Sequence, residues 1–237
     1  MNQVTYRYIE DKTYEEVWAI QTAIHNELKE RKKNKTEQNN AKEMADHHLI
    51  FCQHRHVYTL GKSGDISHLL LNHDGLKEKG VEYFKINRGG DITYHGPGQI
   101  TGYPILDLEC FYTDVHRYVR DLEEVIIQSL DHYGIIGHRI PAYTGVWVED
   151  KHQKGHFSKI CAIGVHLSRW VTLHGFAFNV NTDLAYFDYI IPCGINDENL
   201  SVTSLQRELG KEVDIFEVAE LLKTHFQKIF TFHIAKT

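Results

Sequence analysis

The chain has 237 residues, 42% of them hydrophobic, and a net charge of −6. That length and apolar content support one sizeable core, expected as a single domain over 1–237, and the acidic balance argues against general nucleic-acid binding. No run reaches the roughly 20 apolar residues of a membrane span and the N-terminus lacks a signal-peptide core, so a cytoplasmic protein is expected.

Residues 14–30 predict an amphipathic helix. Thr13 and Glu16 have capping-box spacing, and Val17, Ile20, Ile24 and Leu28 share a face. From 29 to 46 the chain is almost wholly polar, which predicts a solvated helix end or exposed loop, with the basic run at 29–35 open to solvent. Strands are predicted at 48–52 and 56–60, then at 81–87 and 100–108 on either side of a glycine-rich loop. Asp114 is the expected cap of a second helix that carries Tyr118, Leu122, Val125, Ile126 and Leu130 and stops near Gly134. A strand at 145–149, an exposed polar loop at 150–157 and a strand pair at 160–167 and 171–180, joined at Ser168 and Arg169, come next. Helices are expected at 201–209 and 214–230. Hairpins with helices between and after them indicate α+β rather than a doubly wound fold.

The glycine-rich loop is the most informative stretch. Gly89, Gly90, Gly96 and Gly98 sit among Arg88, Thr93, Tyr94, His95 and Gln99. Glycine permits close backbone approach, and the polar side chains supply directed hydrogen bonds, so the loop reads as a ligand cradle. The plainer alternative is a tight hairpin between two strands.

None of the four cysteines forms a C-x-x-C pair and no H-E-x-x-H motif occurs, so neither a metal site nor a cofactor is expected. Cys193, between Pro192 and Gly194, sits in a bend that presents a thiol well. Lys159 opens an apolar strand, and an ammonium beside a thiol stabilises the thiolate. Cys161 is a rival for that partnership, because side chains two apart on a regular strand face the same way. Local sequence leaves the choice open between Cys161 and Cys193.

The run Arg88-Gly89-Gly90-x-x-Thr93-Tyr94-His95-x-x-Gly98-Gln99-x-x-x-Tyr103 resembles the signature of the lipoyl(octanoyl) transferases. Further likeness lies in Val57 to Gly61, Lys159 to Val165, His174 to Val180, Pro192 to Ile195 and Val202 to Leu205, covering roughly 14–210 in the family's order. The resemblance implies a mixed, largely antiparallel sheet flanked by helices, as in the biotin/lipoate protein ligase catalytic domain. It implies octanoyl transfer from octanoyl-acyl carrier protein to a lysine of lipoyl domains, those of 2-oxoacid dehydrogenases and the glycine cleavage H protein, by a monomer. It assigns Cys193 as the acyl-carrying nucleophile and Lys159 as its partner, with His95 assisting proton transfer. Arg88, Gly89, Gly90, Asp91, Ile92, Thr93, Tyr94 and His95 are then expected at the acyl site, together with Ala162, Ile163, Gly164, Gly175, Phe176 and Ala177. Cys161 departs from the small residue usual at its position, which makes it a possible decoy for thiol reagents. An ATP-dependent lipoate or octanoate ligase and a non-catalytic acyl-carrier binder are the competing readings.

Overall fold

The computed structural model describes residues 2–34, 46–191 and 199–235. The chain opens with β1 (Asn2–Ile9), followed by α1 (Tyr14–Lys33). The capping box forms: Thr13 Oγ1 accepts from the Glu16 N–H at 3.2 Å, and Glu16 Oε2 accepts from the Thr13 N–H at 2.8 Å.

The end of α1 is solvated as expected at Glu30, Arg31 and Lys33, but Lys32 departs from the pattern. Lys32 donates to Asp107 Oδ1 at 2.6 Å and to the Arg169 carbonyl at 2.7 Å, and it lies 3.0 Å from Glu109. These bonds fasten the last turn of the helix to the body. Residues 35–45, the rest of the polar stretch, lie outside the described residues. The Asp107 side chain is only 4% exposed, so Lys32→Met strands a buried carboxylate. Urea unfolding of that variant is expected to show a loss of about 2–4 kcal/mol.

Next come β2 (His47–Cys52), β3 (Val57–Leu60), α2 (His73–Glu78), β4 (Glu82–Lys85), β5 (Ile92–His95) and β6 (Gln99–Ile105). They are followed by α3 (Val115–Asp131), β7 (Gly137–Ile140), β8 (Tyr143–Glu149), β9 (Phe157–Ser168) and β10 (Val171–Asn179). The chain then forms β11 (Leu200–Val202), α4 (Leu205–Leu209), α5 (Ile215–Phe230) and β12 (Phe232–Ile234).

The principal sheet has the order β12-β1-β2-β6-β10-β9-β8-β7, with β11 along β9, and a separate three-stranded sheet has the order β4-β3-β5. Parallel and antiparallel pairs mix, the latter predominating along the β2-β6-β10-β9-β8-β7 run. Strand β2 shows how the layers are built. Its alternate residues Leu49 and Phe51 enter the main core under α3 and α5, while Ile50 and Cys52 face Val17 and Leu28 of α1. The small sheet has its own core, in which Tyr58, Ile92 and Tyr94 pack with Phe187 and Ile190.

Several expectations are corrected. The plainer alternative for the glycine-rich loop, a tight hairpin, does not form, because β5 pairs with β3 in the small sheet whereas β6 pairs with β2 and β10 in the large one. The loop is a crossover, turned at Gly98 with φ of 77°. The Gly98 carbonyl there accepts from the Val180 and Asn181 N–H groups, at 3.2 and 2.8 Å. Residues 201 and 202 are strand rather than helix; Val202 pairs with Lys159, and helix α4 starts only after Ser204, whose hydroxyl accepts the Arg207 N–H. The turn between β9 and β10 is one residue later than expected. Arg169 and Trp170 both take the left-handed φ, 52° and 63°, that a two-residue hairpin turn demands.

Candidate active site

A cleft lies where the small sheet covers β9 and β10. One wall is Ile86, Arg88, Gly90, Ile92, Thr93 and His95; the other is Ala162, Ile163 and Gly164 of β9 with His174, Gly175, Phe176 and Ala177 of β10. Tyr14, Tyr103, Thr144 and Lys159 complete it. A smaller adjoining cavity shares Ile92, Thr93, Lys159, Ala162 and Ala177 and adds Gln99, Asn179, Phe187 and Val202.

The two walls touch through backbone. The Gly89 N–H donates to the Val165 carbonyl at 2.9 Å. A Cβ on Gly164 would stand 2.9 Å from the Gly89 carbonyl oxygen and 3.0 Å from Arg88 Cδ, so glycine is required by the close approach itself. Facing Gly164 in the β9–β10 ladder is Gly175, where a Cβ would run into the Gly102 carbonyl.

The placement of Lys159 rests on a β-bulge. Between β8 and β9, Val146 pairs with Cys161 but Trp147 pairs with Lys159, so β9 carries one extra residue at this point. Ile160 and Cys161 therefore both join the main core, while Lys159 and Ala162 both line the cleft. The strict alternation that would have set Cys161 beside Lys159 does not hold. Cys161 is fully buried, and desolvation keeps its thiol well above the usual range, the opposite of a reactive decoy. Lys159 is 8% exposed, its ammonium 4.7 Å from the centre of the Trp147 ring.

Cys193 lies outside the described residues. The described chain stops at Ile191, whose N–H bonds the His68 carbonyl, and resumes at Asn199, whose carbonyl accepts from the Phe157 N–H at 2.9 Å.

His95 has both ring nitrogens engaged: Nδ1 is 2.9 Å from Gln99 Oε1 and Nε2 is 3.3 Å from Thr59 Oγ1. Burial, with the nearby Arg88 charge, lowers its pKa to about 4 despite the Gln99 bond. Arg88 is held by the Thr59 carbonyl at 2.6 Å and the Gly89 carbonyl at 3.0 Å. His174, also in the wall, takes a left-handed φ of 60° inside β10, and its Nε2 is 2.7 Å from Asn87 Oδ1. Burial first, then the Arg88 charge, lowers its pKa to about 3. A non-glycine residue in this region is strained, and the strain sits in the cleft wall.

Three residues expected at the site are not in the cleft lining. Tyr94 packs in the small-sheet core with its hydroxyl 2.7 Å from His56 Nδ1. Asp91 turns to His68 and to the Asp65 N–H. Gly89 contributes its N–H to β9. Conversely, Tyr14, Tyr103, Thr144, Gln99 and Asn179 border the two cavities. Gln99, Tyr103 and Asn179 stood inside recognisable motifs; Tyr14 and Thr144 carried no signal.

The family described as "Lipoyl protein ligase A/B catalytic domain" matches residues 13–227. An octanoyltransferase of Christiangramia forsetii is 51% identical over 230 residues, 96% of each chain. An octanoyltransferase of Flavobacterium psychrophilum is 52% identical over 221 residues, 92% of this chain and 93% of its own. Among solved structures, an archaeal bi-partite lipoate protein ligase from Thermoplasma acidophilum superposes with a TM-score of 0.69 at 16% identity, covering 100% of this chain and 86% of the other. Lipoate-protein ligase A bound with ATP gives 0.67 at 16% identity, covering 100% and 88%. These two structures share the mixed, helix-flanked sheet. Descent, fold and motifs agree, and the chain belongs to the lipoyl protein ligase A/B catalytic-domain family, among its octanoyltransferases.

Proposed function

We propose that the protein moves an octanoyl group from octanoyl-acyl carrier protein to a lysine of lipoyl domains, those of 2-oxoacid dehydrogenases and the glycine cleavage H protein, through a thioester on Cys193. The Cys193 thiolate attacks the donor thioester, and the carrier's phosphopantetheine thiol leaves with a proton supplied by the Lys159 ammonium. The acceptor lysine then attacks the acyl-enzyme. Its amine, with an ordinary pKa of about 10.4, must shed a proton to form the amide; the neutral Lys159 amine left by the first step takes it, the thioester bond breaks and Cys193 leaves as the thiolate. The product amide lies below the thioester in energy, so no ATP is consumed.

The observation that carries this reading is Lys159, buried at the junction of the cleft and the smaller cavity. Beside it the small side chains of Ala162, Gly164, Gly175 and Ala177 leave a slim slot suited to an unbranched chain. The strand that follows the Cys193 segment also favours it, since Val202 pairs with Lys159.

Intact mass after mixing with octanoyl-acyl carrier protein, without ATP, tests the proposal. A gain of about 126 Da is expected in the wild type and in Cys161→Ser, and none in Cys193→Ser. An adduct that survives in Cys193→Ser removes the assigned nucleophile. No adduct without ATP, but lipoyl-domain modification by free octanoate with ATP, turns the reading to a ligase.

A further inference from the structure

We infer that Asn179 and Gln99 are positioning residues: together they hold His95 as its Nδ1–H tautomer, and through Thr59 that tautomer seats Arg88 in the cleft wall. The inference starts from a backbone atom. The Thr203 carbonyl can only accept, and Asn179 Nδ2 donates to it at 3.0 Å. Asn179 Oδ1 is thereby turned to Gln99, whose Nε2 donates to it at 2.9 Å and to the Tyr94 carbonyl at 3.0 Å. Two acceptors fix the Gln99 amide, leaving its Oε1 to face His95 Nδ1 at 2.9 Å. An oxygen that only accepts requires the proton on Nδ1.

The consequence passes to the other side of the ring. Nε2 is left with a lone pair, and its neighbour at 3.3 Å is the Thr59 hydroxyl. That hydroxyl accepts from Arg88 Nη2 at 3.0 Å and from Nε at 3.3 Å. Its own proton therefore points to Nε2, and its lone pairs to the guanidinium. Each link of the series sets a donor against an acceptor, from Arg88 to the Thr203 carbonyl. With the opposite tautomer, Nδ1 and Gln99 Oε1 would oppose lone pairs, and Nε2–H would confront the Thr59 hydroxyl proton.

The chain members are buried: Thr59, Gln99 and Asn179 are 0%, 1% and 4% exposed. Water is thus a poor substitute for any missing link. Other polar rings around His95 are those of His54 and Tyr14, with centroids 5.9 and 6.0 Å away. Burial lowers the His54 pKa to about 3 and raises that of Tyr14, so neither ring brings charge near neutral pH. Arg88 is the charge among these neighbours, and it disfavours a second proton on His95. In this arrangement His95 stays neutral and shapes the site instead of exchanging protons.

The role in transfer rests on the function proposed above, but the tautomer does not, and the test separates them. Nitrogen-15 spectra of the intact protein at pH 7, with the His95 ring assigned by its loss in His95→Gln, are expected to show Nδ1 protonated and Nε2 bare. Gln99→Leu is expected to abolish that preference, whereas Thr59→Val, downstream of the ring, leaves it in place. Octanoyl transfer is expected to fall about tenfold in each variant, the loss of one buried hydrogen bond, and the double variant to fall no further than the worse single. A wild-type ring protonated on Nε2, or on both nitrogens, overturns the assignment without any variant having to fold. An unchanged tautomer in Gln99→Leu, or additive losses in the double variant, overturns the coupling. A protein with the expected tautomer and no octanoyl transfer fails the functional reading alone.

Discussion

Lys159→Met is expected to slow octanoyl transfer about a thousandfold while leaving cooperative unfolding intact, the scale of a lost general base. The two effects separate because of where the residue sits. Its stem lies within the cleft and its ammonium over the Trp147 ring, so an unbranched thioether of similar length keeps the packing and loses only the titrating group. Lys159→Arg is the sharper variant. A guanidinium preserves the positive charge over the indole but does not release its proton in a protein. Proton acceptance predicts that arginine is as inactive as methionine. If Lys159 supplied only charge, Lys159→Arg would retain most of the transfer rate, and that result in single-turnover assays would sink its role as base.

The second large effect is a loss of stability in mild acid. His54, His95 and His174 are each less than a tenth exposed, and burial lowers their pKa values to about 3, 4 and 3 from the ordinary 6.5. The unfolded chain takes up protons as pH falls through 6.5, while the folded chain refuses them until pH is nearer 4. These groups therefore leave stability unaffected above about pH 6.5 and withdraw it as pH falls below that. Three such protons give a slope of about 4 kcal/mol per pH unit between roughly pH 5.5 and 4.5. The accumulated loss by pH 5 is about 6 kcal/mol, a large part of a typical total of 5–15 kcal/mol, and it falls above the range in which ordinary carboxylates titrate. Urea titrations at pH 7, 6 and 5 measure this directly. A free energy of unfolding that stays flat over that interval would show that the imidazoles are not kept neutral by the fold.

The elements legible in the sequence were those whose periodicity and caps agree. The Thr13 capping box with Val17 and Leu28 and the Asp114 cap of α3 formed as read, and β9 and β10 formed as the expected strand pair. Strand β1 escaped because its side chains are largely polar or aromatic and only Val4 is fully buried, so a period of two has almost nothing apolar to mark it. The glycine-rich loop stood out by its composition, and part of it lines the cleft, yet its connection between two sheets depends on long-range pairing that no local window contains. Which thiol accompanies Lys159 was open for a similar reason. A single extra residue in β9 reverses facing, and only its pairing with β8 reveals it. The polar series behind His95 was equally hidden, since Thr59, Gln99, Asn179 and Thr203 are far apart in the chain and meet only after folding.

The close approach of Gly164 to the Gly89 carbonyl and the Arg88 side chain has a consequence for the cleft. Where side chains set the bore of a channel, a single rotamer change can widen it. Here main chain abuts main chain, and the Gly89 N–H is committed to Val165. The separation of the two walls at this point is thus set by main-chain geometry rather than by the rotamer of a side chain.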